Sequence, residues 1–249
     1  MPRSLHHRAI YYSGQGAAEA YAARVLATSP LRYNKLNEGS GSAIVDSSGN
    51  AYTGTYTGVT WDGTLSPFGE PVPFWDGAND YGNLHSAAFG TAFNLDEFTI
   101  LWWFKMADVG AWTDATERYF FRVQRDSSNQ LLIRKSNTNN TIALTRIGSG
   151  TSKAITVGSQ SDVGDVCMAL SCSIAGGGLL TAGDLRAYKN GVQLGTTQTG
   201  NVASAGSGLG TVALGAASLT PTNVHRGYKN NLMFFNRPID AGILALMTA

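Results

Sequence analysis

The run from Phe98 to Lys105, Phe-Thr-Ile-Leu-Trp-Trp-Phe-Lys, contains aromatic and β-branched residues and no Gly, Pro, Asn or Asp. That composition and length predict a central β-strand. Phe98, Ile100, Trp102 and Phe104 fall on one face, and Thr99, Leu101, Trp103 and Lys105 on the other. The first is a core face. The second is also largely apolar, so a second layer, a loop, a ligand or another subunit has to cover it. The same reading predicts short strands along the rest of the chain. They fall at Leu31–Leu36, Val72–Trp75, Tyr81–Leu84, Tyr119–Gln124, Leu131–Lys135, Thr141–Ile147, Ala154–Val157 and Val166–Ile174, then at Leu185–Lys189, Val192–Thr196, Val212–Gly215 and Leu232–Phe235. Turn-forming Asp, Ser, Asn and Gly separate them, and Asn190-Gly191 is the strongest hairpin signal.

Two segments depart from this pattern. Ala17–Ala27 is rich in helix formers, with Tyr21, Val25 and Leu26 as a narrow apolar stripe, and Ser29-Pro30 stops it. Ile239–Met247 has room for a closing helical turn or two. Ahead of the first helix, residues 1–15 carry Arg3, Arg8, His6 and His7 without an acid and run into Ser13-Gly14-Gln15-Gly16, which reads as a basic arm on a flexible joint. The adjacent histidines lack a third ligand, so a solvated or partner-bound arm fits better than a metal site. The chain therefore divides into an arm and helix over 1–30 and one all-β domain over 31–249, a sandwich of two antiparallel sheets.

Composition narrows the partners. Charged residues make up 14% of the 249, with a net charge of +1. A surface so poor in charge either faces other protein or is merely polar and uncharged, and it gives no case for nucleic acid or membrane as partner. Cys167 and Cys172 are an odd number of residues apart within one predicted strand, so they point to opposite faces and stay free and buried. No apolar stretch follows the N-terminal residues, so no signal peptide is expected, and no run approaches membrane-spanning length.

Six segments together resemble the concanavalin A-like lectin/glucanase superfamily, and within it the laminin-G-like jelly-roll modules. They are Leu36–Gly41, Asp46–Asn50 with Gly54 after it, Phe74–Asp80, Phe98–Lys105, Leu185–Val192 and Asn231–Pro238 with a short helix following. The lead-in from Tyr21 to Tyr33 is similar to that of such modules in bacteriophage structural proteins, both tail-associated and head-decorating. The resemblance implies a jelly-roll β-sandwich, but the fold hosts lectins, glycosidases, adhesion modules and structural domains. It also implies a structural Ca2+ between the Asp46–Asn50 loop and an acidic residue before the last strand. Here that later position is Asn230, with Lys229 beside it, which lowers the charge of such a site; a hydrogen-bonded turn does the same structural work.

The catalytic pattern of the superfamily's glucanases, carboxylates two apart on one strand, is missing. Asp96 and Glu97 are adjacent and point apart, and Asp114 and Glu117 fall in a loop. His85 and His225 have no motif around them. The chain therefore reads as non-enzymatic. Trp61, Trp112, Tyr52 and Tyr56 sit in loop-like surroundings and are the candidates for stacking on a sugar ring, the alternative being that they pin loops to the sandwich. For assembly the candidates are Arg3 and Arg8 of the arm, Tyr21 and Val25 of the helix, and Leu101 and Trp103 on the second face of the central strand. The expectation is a structural component of a bacteriophage virion surface, homo-oligomeric, assembled in the host cytoplasm through its N-terminal arm. The alternative is a carbohydrate-binding module that recognises a surface glycan.

Overall fold

The computed structural model describes residues 5–200 and 203–248, with side chains from Gly16 onward. In chain order the elements are α1 (Leu5–Ala27), β1 (Arg32–Asn34), β2 (Ala43–Ile44), β3 (Gly54–Thr57), β4 (Phe74–Asp76), β5 (Tyr81–Asn83), α2 (Ala87–Ala92), β6 (Glu97–Met106), α3 (Gly110–Thr113) and β7 (Arg118–Asp126). Then come β8 (Asn129–Lys135), β9 (Ile142–Gly148), β10 (Thr151–Val157), β11 (Val166–Ser173), β12 (Asp184–Lys189), β13 (Val192–Gln198), β14 (Thr211–Leu214), β15 (Arg226–Phe235) and α4 (Ala241–Ala245), followed by a 3-10 turn at Leu246–Thr248.

Two antiparallel sheets face each other. One runs β1-β15-β6-β11-β12-β13, with β4 also paired to β15; the other runs β10-β9-β8-β7-β14-β5-β3-β2. The expected all-β sandwich is thus the observed fold. β6 lies between β15 and β11, and its Phe98, Ile100, Trp102 and Phe104 join the core between the sheets. The Asn190-Gly191 hairpin forms as read: both residues have positive φ, as the tight turn requires. Asp76–Asp80 is a different kind of turn, because β4 belongs to one sheet and β5 to the other. It carries the chain across the sandwich, held by Asp76 N–H donating to Asp80 Oδ2 at 2.7 Å. Cys167 and Cys172 are free and buried on opposite faces of β11, one in each core.

The second face of β6 is covered by the chain itself. Leu101 and Trp103 form a second apolar cluster with Ala18, Tyr21, Ala22 and Val25 of α1, Phe68, Met233 and Phe235 of β15, and Ile239, Ile243, Leu246 and Met247 of the C-terminal segment. Trp103 Nε1–H donates to the Tyr21 hydroxyl at 2.9 Å. Tyr21 stacks on Phe68 at 4.1 Å between ring centroids, and both rings meet Trp103 edge-on. The four assembly candidates with described side chains, Tyr21, Val25, Leu101 and Trp103, are therefore internal. They have nothing left to offer a neighbouring subunit. The cause is that α1 and α4 lie on the same sheet and close its outer face.

The arm also differs from expectation. Gly14 and Gly16, read as a joint, lie inside α1, which begins at Leu5. Each glycine costs a helix about 1 kcal/mol, but propagation from an anchored turn is cheap, and the packing of Ala18–Val25 supplies that anchor. Arg3 lies outside the described residues, and the side chain of Arg8 does as well. At its other end α1 is closed by Arg237, whose guanidinium donates to the carbonyls of Thr28 and Ser29, a favourable place for a cation.

Removing the Tyr21 ring should therefore be a stability lesion. Tyr21→Ala is expected to cost about 3–5 kcal/mol, and Tyr21→Phe about 1–3 kcal/mol by leaving the Trp103 N–H without an acceptor. Urea denaturation checks this: unchanged midpoints would mean that α1 does not lie on β6.

Candidate functional site

With one sheet closed, the outer face of the eight-stranded sheet is the surface left for a ligand. Its construction turns on a bulge in β7. The strand reads Arg-Tyr-Phe-Phe-Arg-Val-Gln-Arg-Asp, and its register against β8 slips between Tyr119 and Phe121. One extra residue at Phe120 lets both phenylalanines point inward. Phe120 lies 4.5 Å from Phe104 and Phe121 4.9 Å from Trp102 between ring centroids. Tyr119, Arg122 and Gln124 then share the outer face. Cross-strand pairing extends that face through Leu132, Thr145 and Ala154 on one side of Arg122, and through Ala213, Asn83, Thr55 and Ala43 on the other.

The middle of this face is low. Ala143 and Ala213 are buried yet belong to neither apolar core, and Thr145 and Gln130 are also shielded. Small residues form a floor, and longer side chains stand around it. Arg122 donates from Nε and Nη2 to Gln130 Oε1, at 3.0 and 2.7 Å, and from Nη1 to the Ala217 carbonyl at 3.1 Å. Its guanidinium so ties the 217–223 loop to the sheet. Arg134 lies over the Tyr119 ring at 5.8 Å and beside Glu117, with Nε 2.7 Å from Oε1. Tyr81, Thr55 and Thr57 continue the polar surface on β5 and β3. Hydroxyl, amide and guanidinium groups over a shallow floor are what a polyhydroxylated ligand can bond to.

The four aromatic candidates divide. Trp112 is 0% exposed, its Nε1–H bonded to the Asp162 carbonyl at 2.8 Å, and it meets Phe104 edge-on. Tyr56 is buried too, its hydroxyl donating to Glu38 and its ring set against Trp61 and Trp75. Neither has a face free for a sugar. Both are the loop pins that the alternative described. Tyr52 and Trp61 are half-buried and rest on the main core. The four do not form one surface.

The carboxylates weighed for catalysis all serve the framework. Asp96 accepts from Arg146 at 2.7 Å, from the Ser204 hydroxyl and from Ala205 N–H. Burial pushes its carboxyl up, but those bonds outweigh burial and hold it below the usual range. Glu97 accepts from Ser173 and Ala175, Asp114 from Arg118 and Lys135, and Glu117 from Asn223. His85 Nε2 sits 2.9 Å from the Leu209 carbonyl.

The calcium set does not assemble. Asp46 accepts four hydrogen bonds, from Tyr33 N–H at 3.0 Å, Ser48 N–H at 2.9 Å, the Ser48 hydroxyl at 2.9 Å and Tyr52 N–H at 2.9 Å. Asn50 donates its amide to the Leu31 carbonyl, and Asn230 accepts from Asn231 at the β15 bulge, bonded to neither Asp46 nor Asn50. A cation needs oxygens that are free to turn toward it, so these residues fit a hydrogen-bonded Asx turn and do not fit the ion. Among the described residues no group of three His, Cys, Asp or Glu side chains could hold a metal. Beside this turn a cleft of about 430 Å³ runs between the end of α1 and Arg237. Most of its polar side chains already have partners: Ser48 and Asn50 on the Leu31 carbonyl, Arg237 on the Ser29 carbonyl, and Asn236 on Asn94 and Ala92.

A pair of unpartnered polar side chains lies inside the sandwich. Lys229 and His225 face inward from β15 and the residue before it, and neither the Lys229 ammonium nor either ring nitrogen of His225 has a hydrogen-bond partner. The Lys229 Nζ lies 4.7 Å from the Trp75 ring centroid and 5.7 Å from that of Phe120, while His225 meets the Phe120 ring at 5.2 Å. Burial drives both pKa values well below their ordinary ranges, and Arg118 and Lys229 add to the effect on His225.

Comparison of the sequence with protein-family models and with curated proteins finds no match. Solved structures do match. Domain 4 of AbnA, an extracellular GH43 arabinanase from Geobacillus stearothermophilus, in complex with arabinotriose, aligns with a TM-score of 0.64 and 15% identity over 88% of this chain and 98% of its own. Trypanosoma rangeli sialidase in complex with the inhibitor DANA gives 0.63 and 10%, covering 99% of this chain but 39% of the sialidase. The binding domain of botulinum neurotoxin serotype D gives 0.60 and 13%, covering 91% of this chain and 52% of that domain. The fold is shared with all three. At these identities the likeness extends to fold alone.

The Lys229 cluster generates a prediction with a definite sign. Its folded pKa is depressed, so the unfolded chain binds the extra proton, and stability falls as pH drops below the unfolded value of about 10.4. Lys229→Met should raise stability by about 1–3 kcal/mol near neutral pH, with the gain shrinking as pH climbs toward that value. Urea midpoints followed against pH check it; a destabilised variant, or a gain that does not depend on pH, would mean that Lys229 is paired and charged.

Proposed function

We propose that this chain is a non-enzymatic binding module that recognises a glycan on the outer face of its eight-stranded sheet. The observation that carries the reading is the asymmetry of the sandwich. One outer face is closed by α1, Phe68 and the C-terminal segment; the other presents Arg122, Gln124, Tyr81 and Thr55 around a low floor and carries no apolar cluster among the described residues. The engagement of Asp96, Glu97, Asp114 and Glu117 in framework bonds supports a non-catalytic role. The arabinanase domain that carries arabinotriose has the same fold along nearly its whole length, which supports a sugar as ligand.

The second reading is a homo-oligomeric component of a bacteriophage virion surface, favoured by the charged fraction of 14%. Its contacts would have to lie outside Tyr21, Val25, Leu101 and Trp103. The native mass by light scattering separates the two: a binding module acting alone gives one chain, and the virion reading gives a closed oligomer.

Amide chemical-shift mapping with a panel of neutral and acidic oligosaccharides tests the glycan reading. Perturbations are expected on β5, β7, β8 and β14, with Gln124→Ala weakening binding by about 0.5–1.5 kcal/mol, the worth of one hydrogen bond. Shifts confined to the cleft beside Arg237, or none with any sugar, would refute it.

A further inference from the structure

We infer that the ligand of the open face is an acidic oligosaccharide, with a sugar carboxylate held at Arg122 beside Arg134; this rests on the glycan-binding reading above. The framework arginines set the standard for comparison. Arg118, Arg146, Arg186, Arg226 and Arg237 each pair with an aspartate. Arg122 does not. All three of its contacts are neutral oxygens, two to the Gln130 side-chain carbonyl and one to the Ala217 backbone. A guanidinium has five N–H donors, so one remains on each terminal nitrogen, and among the described residues no carboxylate forms an ion pair with it.

Arg134 stands diagonally across from Arg122, since Arg122 pairs with Leu132 and Tyr119 with Arg134. Its Nη1 is buried without an acceptor, and its Nε, although close to Glu117, is not aligned to donate to it. Glu117 is shared with Asn223, whose amide donates to Oε2 at 2.9 Å. The titratable groups around this spot are thus two arginines, one glutamate and Tyr119, whose hydroxyl burial pushes up and so keeps neutral. The balance is one uncompensated positive charge, and the free donors on this face are the remaining N–H groups of the Arg122 terminal nitrogens. A carboxylate meets that with charge-assisted hydrogen bonds, which a neutral sugar cannot make. A nucleic-acid backbone would need a longer basic track than two arginines on a chain of net charge +1.

The experiment is titration calorimetry of the full chain with oligogalacturonate, oligomannuronate and sialyllactose, each beside its carboxyl-reduced counterpart. At least one acidic form should bind about tenfold more tightly than its reduced form, as expected for a charge-assisted pair. That preference should shrink between ~0.05 and ~0.5 M salt. Arg122→Gln should abolish it, bringing the acidic form down to the affinity of its own reduced counterpart in the same variant; Arg134→Gln is a second variant in case the first disturbs the 217–223 loop. Equal affinity for every acidic and reduced pair, or a preference that survives both variants, would overturn the inference and leave the glycan reading standing. Absence of binding by all six sugars would sink both.

Discussion

The structure depends on one constraint: β6 is apolar on both faces. A strand buried on a single side needs one partner layer, but Trp102 and Trp103 are neighbours in sequence and point in opposite directions, so two layers must form. The inner one is the opposite sheet. The outer one is assembled from residues near the two ends of the described chain, with Tyr21 and Val25 from α1 and Ile243 and Met247 from the C-terminal segment all meeting on Leu101 and Trp103. The hydrogen bond from Trp103 to Tyr21 satisfies an indole N–H that burial would otherwise leave unpaired. Both terminal segments belong to the folding unit because the sheet cannot be left bare.

That constraint also decides where a ligand can go. Closing one sheet leaves the other as the broad face open to solvent, and its residues are those of a surface that stays wet. Thr55 and Thr57 flank the buried Tyr56, and Thr156 follows the buried Ile155. The edge strand β10 carries Lys153, and β2 has two residues; charge on one edge and brevity on the other discourage sheet-to-sheet association. The candidate stacking residues Trp112 and Tyr56, meanwhile, are drawn inward, which is why the four aromatic candidates do not share one surface.

Much of the fold was legible from pattern alone. β6, β8, β9, β11 and β12 were visible as runs without breakers, Asn190-Gly191 as a hairpin, and the two cysteines as members of opposite faces. What escaped has physical reasons. Trp112 and Tyr56 lie among Gly, Thr and Asp, a polar setting that resembles an exposed loop; but Trp112 is on the one-turn helix α3 that turns it into the core. β2 and β3 are too short and too polar to register. The outer face of β7 was hidden by its bulge. Strict alternation from Tyr119 would place Phe121 outside with it and Arg122 inside, and the extra residue at Phe120 reverses both. A doublet of phenylalanines between Tyr119 and Arg122 was the available signal, since two adjacent large apolar residues cannot both face the core by simple alternation. The flexible joint expected at Ser13–Gly16 is helical instead, because a helix anchored downstream tolerates its glycines.

The bulge also explains why Arg122 is placed with some precision. Phe120 and Phe121 are wedged among Trp102, Phe104 and His225, so the backbone just before Arg122 is fixed from inside the sandwich. On the outside, Gln130 and the Ala217 carbonyl grip three of the arginine's donors. A side chain held at both ends loses little conformational freedom when it meets a ligand, and binding energy is then not consumed in ordering it. From the opposite sheet, β15 and the residue before it place the unpaired His225 and Lys229 behind this surface, against Phe120, where they cost stability and touch no solvent. A protein that keeps a bare cation on its open face and two unpaired bases beneath it is not built for stability alone. The gripped arginine is the one of these that a ligand can reach.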